Sequence, residues 1–117
     1  AIGPDFALLS GEDPGIMGFL ALGGDGCISV TANVAPGLLS QMHEAWQRGD
    51  VATAQRINER LMPLHDALFC EPSPAPAKYG ASLLGFGSEG VRLPIVPCSD
   101  AAKAQVREAM VHAGLLN

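Results

Sequence analysis

Few residues in this chain can do chemistry, and their spacing limits what each could do. Glu12 and Asp13 are adjacent carboxylates in Ser10-Gly11-Glu12-Asp13-Pro14, directly after an apolar run. Paired acids at a strand end suit general acid or base work. Acids at a helix start also complement the helix dipole, and this is the favoured reading. The lysines are Lys78, in Pro-Ala-Pro-Ala-Lys, and Lys103. A lysine nucleophile needs its pKa lowered by burial or by a neighbouring cation. Neither lysine falls at a strand end, so Lys78 reads as a structural or surface residue and Lys103 as a solvated charge. His43, His65 and His112 fall on different helical segments without an i,i+4 pair, and Cys27, Cys70 and Cys98 lack CxxC spacing. No metal site and no disulfide framework is expected, and the thiols read as buried and reduced. Ser10 lies outside a GxSxG elbow. Gly23-Gly24-Asp25-Gly26 has the composition of a phosphate cradle but precedes a strand, whereas a phosphate loop follows one and opens a helix. A tight turn is expected there, and no cofactor.

The elements that position these residues fall into two groups. Phe6-Ala7-Leu8-Leu9 reads as a short buried strand, and Gly15 to Leu22 as a short helix after Pro14. After the glycine turn, Cys27, Ile28, Val30 and Thr31 read as a second buried strand that leaves through the loop Thr31-Ala32-Asn33-Val34. Two such strands joined through a helix make a right-handed βαβ crossover, which opens both strand ends on one face. The edge formed by SGED and TANVA is therefore the candidate functional edge, and GGDG the scaffold edge.

From Pro36 onward the pattern is helical. Leu38, Leu39, Met42 and Trp46 precede a stop at Gly49-Asp50, and Val51, Ala54, Ile57, Leu61, Leu64 and Leu68 follow at spacings of three or four. Pro63 falls inside that second run and either kinks it or divides it. Glu71-Pro72-Ser73-Pro74-Ala75-Pro76 reads as a rigid connector, with helical sequence resuming at Ala77. Lys78 to Phe86 reads as a short helix, Gly87 to Gly90 as a turn, and Val91 to Pro97 as an extended stretch whose prolines exclude a central strand. Ser99 caps a final helix to about Ala113, with Gly114 closing it. Met17, Met42, Met62 and Met110 sit at apolar helical positions and are expected in the core.

Composition sets the outer limits. The chain has 117 residues, 48% of them hydrophobic and 16% charged, with mean hydropathy +0.23. It is long enough for one domain core, or part of one. A net charge of -5 with scattered Lys and Arg gives no basic patch, so neither nucleic acid nor an anionic membrane is an expected partner. No apolar run reaches the ~18 residues of a membrane span and no signal-like N-terminus is seen, so a soluble cytoplasmic protein is expected. The chain starts with Ala and enters a strand almost at once, which suggests a start within a longer protein.

The segments LLSGED, LALGGDGCISVTANVAP, LMPLHDALFCEPSPAPAK and RLPIVP resemble the C-terminal part of the dihydrodipicolinate synthase (4-hydroxy-tetrahydrodipicolinate synthase) family, from about Asp5 to the final AGLL. The resemblance implies an α/β fold, the C-terminal portion of a (β/α)8 TIM barrel. Residues 1–35 would carry its last two strands, Phe6 to Leu9 and Cys27 to Thr31, as one βαβ unit. Residues 36–117 would be the final barrel helix and a C-terminal helical appendage. The family's class I aldolase reaction joins pyruvate, held as a lysine Schiff base, to aspartate semialdehyde in lysine biosynthesis, typically in a homotetramer. The family's Schiff-base lysine lies on the strand before Phe6 to Leu9, so no catalytic residue is expected in this sequence. The resemblance assigns substrate-binding positions to Gly11 and, through its backbone, Ile28, with Glu12 and Thr31 at the pocket edge. Glu12 stands where an Asp is more usual.

Two functions of different class follow. The first is the C-terminal part of such a lyase, inactive without the rest of the barrel. The alternative is a truncated paralogue serving as a non-catalytic assembly or binding module. Two parallel strands alone would leave sheet edges and apolar faces open, which favours the first.

Overall fold

A computed structural model describes residues 3–117. The apolar run after Phe6 yields strand β1 at Leu9–Ser10, which pairs in parallel with strand β2 at Gly26–Cys27, Leu9 opposite Gly26 and Ser10 opposite Cys27. Helix α1, Ile16–Ala21, crosses between them and buries Ile16 and Leu20. The expected βαβ unit is present, but its strands are shorter than expected and are not buried. Phe6, Leu8, Leu9 and Ile28 are exposed. A two-stranded sheet has no neighbouring strands to extend its ladder or cover its faces, so the pairing ends where the backbone leaves the shared register. Thr31–Asn33, expected as a loop, forms a 3-10 turn instead.

Gly23 adopts φ +97, a conformation open to glycine, so the turn into β2 can be tight. Asp25 closes it from both sides. Its carboxylate Oδ2 accepts the Leu8 N–H at 2.7 Å, and its own N–H donates to the Leu8 carbonyl at 2.8 Å. The GGDG stretch is thus a scaffold turn, as its position before a strand implied.

Helix α2, Pro36–Gln47, and helix α3, Val51–Ala67, form an antiparallel-type pair joined by the short Gly49-Asp50 turn. Asp50 caps α3 by accepting the Thr53 N–H. Pro63 does not divide α3. Pro63 and Glu59 are both exposed, so the carbonyl that lacks its amide donor four residues on lies on the solvent side. Helix α4, Ala75–Leu83, starts earlier than the proline-rich stretch suggested. Pro76 sits in its first turn, where the missing N–H costs nothing. Helix α5, Asp100–His112, is capped by Ser99 Oγ, which accepts the Ala102 N–H, and ends at Gly114 with φ +73.

One hydrophobic core joins these parts. Ile16 and Leu20 of α1 pack with Val34 and Ala35, with Leu39 and Met42 of α2, with Leu61, Leu64 and Leu68 on and after α3, and with Val106 and Met110 of α5. Met42 and Met110 are fully buried, while Met17 is partly so. The core is continuous across residues 35 and 36, so the βαβ unit rests directly on the helices. No helix among the described residues is long and apolar enough to cross a membrane.

Candidate functional site

The parallel pairing brings the exits of β1 and β2 to one edge. There the Ile28 N–H donates to the Ser10 carbonyl at 2.8 Å, which places Ile28 beside the start of the Ser10-Gly11-Glu12 turn. Ser10 shapes that turn locally, since its Oγ accepts the Glu12 N–H at 3.0 Å. Gly11 is exposed, with open space on the side where a Cβ would project.

Asp13 does what neither sequence reading foresaw. It is only 2% exposed, and its carboxylate receives donors from the segment leaving β2. Oδ1 accepts the Ser29 hydroxyl, and Oδ2 accepts the N–H groups of Val30 at 2.9 Å and Thr31 at 3.1 Å. Ser29 Oγ in turn accepts the Ala32 N–H at 2.9 Å. A buried carboxylate that receives three donors has its acceptor oxygens satisfied, which suits a structural role. It acts as a brace between the two strand ends, and this replaces the expected choice between proton transfer and helix-dipole complementarity.

A second brace comes from the helices. The Thr31 hydroxyl and His65 Nδ1 lie 2.7 Å apart, and both residues are 0% exposed. Thr31, expected at the pocket edge, therefore contributes no surface and supports the loop from beneath. His65 was invisible as a site residue because its neighbours carry no ligand spacing. The signal available was its place on the apolar stripe of Leu61, Leu64 and Leu68, where a polar side chain needs a buried partner. Its Nε2 is buried without a hydrogen-bond partner among the described residues. Burial pulls the imidazole below its ordinary value of 6.5, against opposing pulls from Asp13 and Asp66.

A cleft of about 540 Å3 opens beside this brace, with Gly11, Glu12 and Asp13 on one side and His65, Asp66 and Phe69 on the other. It gathers Gly11 and Glu12 but is not lined by Ile28, whose side chain is 71% exposed outside it. Cys27 lies behind the same edge, its Sγ 3.7 Å from the Glu12 carbonyl. Burial, with the charges of Asp13 and Glu12, pushes its thiol up to about 11, so it is protonated at neutral pH.

The lysines are elsewhere. Lys78 on α4 donates from Nζ to the Gly90 carbonyl. Lys103 on α5 is not the free solvated charge expected from sequence. Its Nζ is 2.9 Å from one Glu89 oxygen and 3.0 Å from the other, and it lies 5.3 Å from the centre of the Tyr79 ring. The Glu89 hydrogen bond raises its pKa, the opposite of what a nucleophilic amine needs. Among the described residues no three His, Cys, Asp or Glu side chains converge as a metal site.

A family model, the dihydrodipicolinate synthetase family, matches residues 1–113. The chain is 60% identical over 116 residues to the 4-hydroxy-tetrahydrodipicolinate synthase of Acidiphilium cryptum, covering 99% of this chain and 40% of that protein. A dihydrodipicolinate synthase from Cyanidioschyzon merolae, solved with lysine bound, superposes with TM-score 0.93 at 40% identity, covering 99% of this chain and 39% of the other. The chloride-inhibited enzyme from Acinetobacter baumannii, solved with pyruvate, gives TM-score 0.88 at 35% identity, over 95% of this chain and 38% of the other. The chain thus spans about 40% of the length of the curated relatives it matches. By sequence and by fold, the chain belongs to the dihydrodipicolinate synthetase family.

Proposed function

We propose that this chain supplies the C-terminal part of a 4-hydroxy-tetrahydrodipicolinate synthase-like lyase, and that the chemistry belongs to the completed barrel. In that enzyme, pyruvate would be held as a Schiff base on a lysine outside this sequence and condensed with aspartate semialdehyde for lysine biosynthesis. Residues 1–35 would be the last βαβ unit, and residues 36–117 the final barrel helix with its helical appendage. Gly11 and the Ile28 backbone would line the pyruvate pocket, with Glu12 at its edge and Thr31 holding the wall from behind. A homo-oligomer and a cytoplasmic location belong to the same reading.

The observation that carries it is the braced strand edge. Asp13 and the Thr31–His65 pair fix the backbone around Gly11 and Ile28, while both lysines are engaged on the far helices. A fixed wall without an available amine fits a covalent active site whose nucleophile lies on another part of the barrel.

Borohydride trapping with pyruvate, read by mass spectrometry, tests this. The chain alone is expected to gain no pyruvyl adduct. Mixed with the N-terminal portion of a full-length relative, it is expected to restore an adduct on the added portion. A stable adduct on Lys78 or Lys103 would overturn the proposal.

A further inference from the structure

Away from the braced edge, a second and smaller apolar cluster is built from Ala75, Cys98 and Ala102, with Cys70, Tyr79 and Ile95 packed against it. It holds two of the three cysteines, although 27 residues separate them in sequence. The backbone on either side is tied together. Glu71, next to Cys70, accepts the Ser99 hydroxyl at 2.6 Å and the Ser99 N–H at 3.1 Å, and Ser99 follows Cys98 directly. The chain leaving α3 and the chain entering α5 are thus held side by side, with one thiol on each. Cys70 is half-buried and Cys98 is buried. A solvent-borne oxidant therefore meets Cys70 first and finds Cys98 behind it. Cys27 packs against the main core instead, with no second thiol in its cluster.

We infer that Cys70 and Cys98 form an intramolecular disulfide when the protein meets a small disulfide oxidant, making this corner a redox modification site. The step is two thiol–disulfide exchanges. The Cys70 thiolate attacks one sulfur of oxidised glutathione, forming a mixed disulfide and releasing one glutathione thiolate. The Cys98 thiolate then attacks Cys70 Sγ, forming the protein disulfide and expelling the second glutathione thiolate. The two protein thiols lose two electrons and two protons, and oxidised glutathione gains both. Burial and the nearby Glu71 carboxylate raise both thiols above their usual value, so the exchange quickens as pH rises. The bond would close a loop containing α4 and the irregular 84–97 stretch, tying the end of α3 to the start of α5.

The test is incubation of the 117-residue chain with oxidised glutathione under native conditions, followed by non-reducing peptide mapping. The expected product is a Cys70–Cys98 linked peptide pair without retained glutathione, Cys27 remaining free. Cys98→Ser is expected to stop at a glutathione adduct on Cys70. The linked form is expected to melt on the order of 10 °C higher than the reduced form. In denaturant the three possible pairings should become comparable, against at least a tenfold preference for Cys70–Cys98 in the folded chain. Glutathione adducts on wild-type Cys70 or Cys98 without the internal link would overturn the inference, and so would links only between chains.

Discussion

At the scale of single residues, His65 is where the buried brace becomes measurable. Its folded-state pKa is depressed by burial, so the unfolded chain takes up a proton more readily than the folded one. The stability it contributes is complete above about pH 6.5 and is lost as pH falls through the folded-state value. Asp13 and Asp66 face the ring and oppose this shift, and the Thr31 hydroxyl holds its Nδ1. Thermal melts of the wild type are expected to fall between about pH 7 and about pH 5, and His65→Gln is expected to flatten that slope. An identical slope in the variant would place the acid sensitivity elsewhere. Sequence placed Gly11 and Ile28 at the strand exits through the motif around them, and the Ile28 N–H to Ser10 carbonyl bond sets them side by side there. It could not reveal the role of Asp13, because the carboxylate's partners are a hydroxyl and two backbone amides sixteen to eighteen residues away.

At the scale of elements, α4 is the helix with least freedom. Gly80 sits mid-helix facing Val34, where an added Cβ would come within 2.9 Å of Val34 Cγ1 and 3.4 Å of Met110 Sδ. Glycine is poor helix material, worth about 1 kcal/mol less than alanine. Here it lets α4 close on the core. Gly80→Ala is expected to destabilise by about 1–3 kcal/mol, since overpacking exceeds the gain in helix propensity. A lowered urea midpoint with unchanged slope would register this, and a raised midpoint would mean that α4 can ride outward. Helices α2, α3 and α5 were legible from apolar periodicity, the stop at Gly49-Asp50 and the Ser99 cap, whereas the cap that Asp50 gives α3 was not read. Their limits near proline were not. Pro76 in the first turn of α4 and Pro63 on the exposed side of α3 are tolerated by position, which periodicity does not report. The strands were over-read for a related reason, because Phe6 to Leu9 and Ile28 have strand composition but no partner beyond the short β1–β2 ladder.

At the scale of the whole molecule, the helices enclose a core while the sheet stands open. Leu22 is 91% exposed, and Phe6, Leu9 and Ile28 lie bare on the β side. Such surface beside open strand edges is an association site. The chain alone is expected to self-associate with rising concentration in sedimentation velocity. A monomer at every concentration with a sharp, cooperative melt would instead favour a self-sufficient assembly module. The Asp13 brace also bears on folding order. It closes a contact over less than twenty residues, the kind that forms in well under a microsecond, whereas the packing of α3 and α4 against α5 awaits the far end of the chain. The two strand exits can therefore find each other before the helical core is complete, and later parts of the protein would dock onto an edge already assembled.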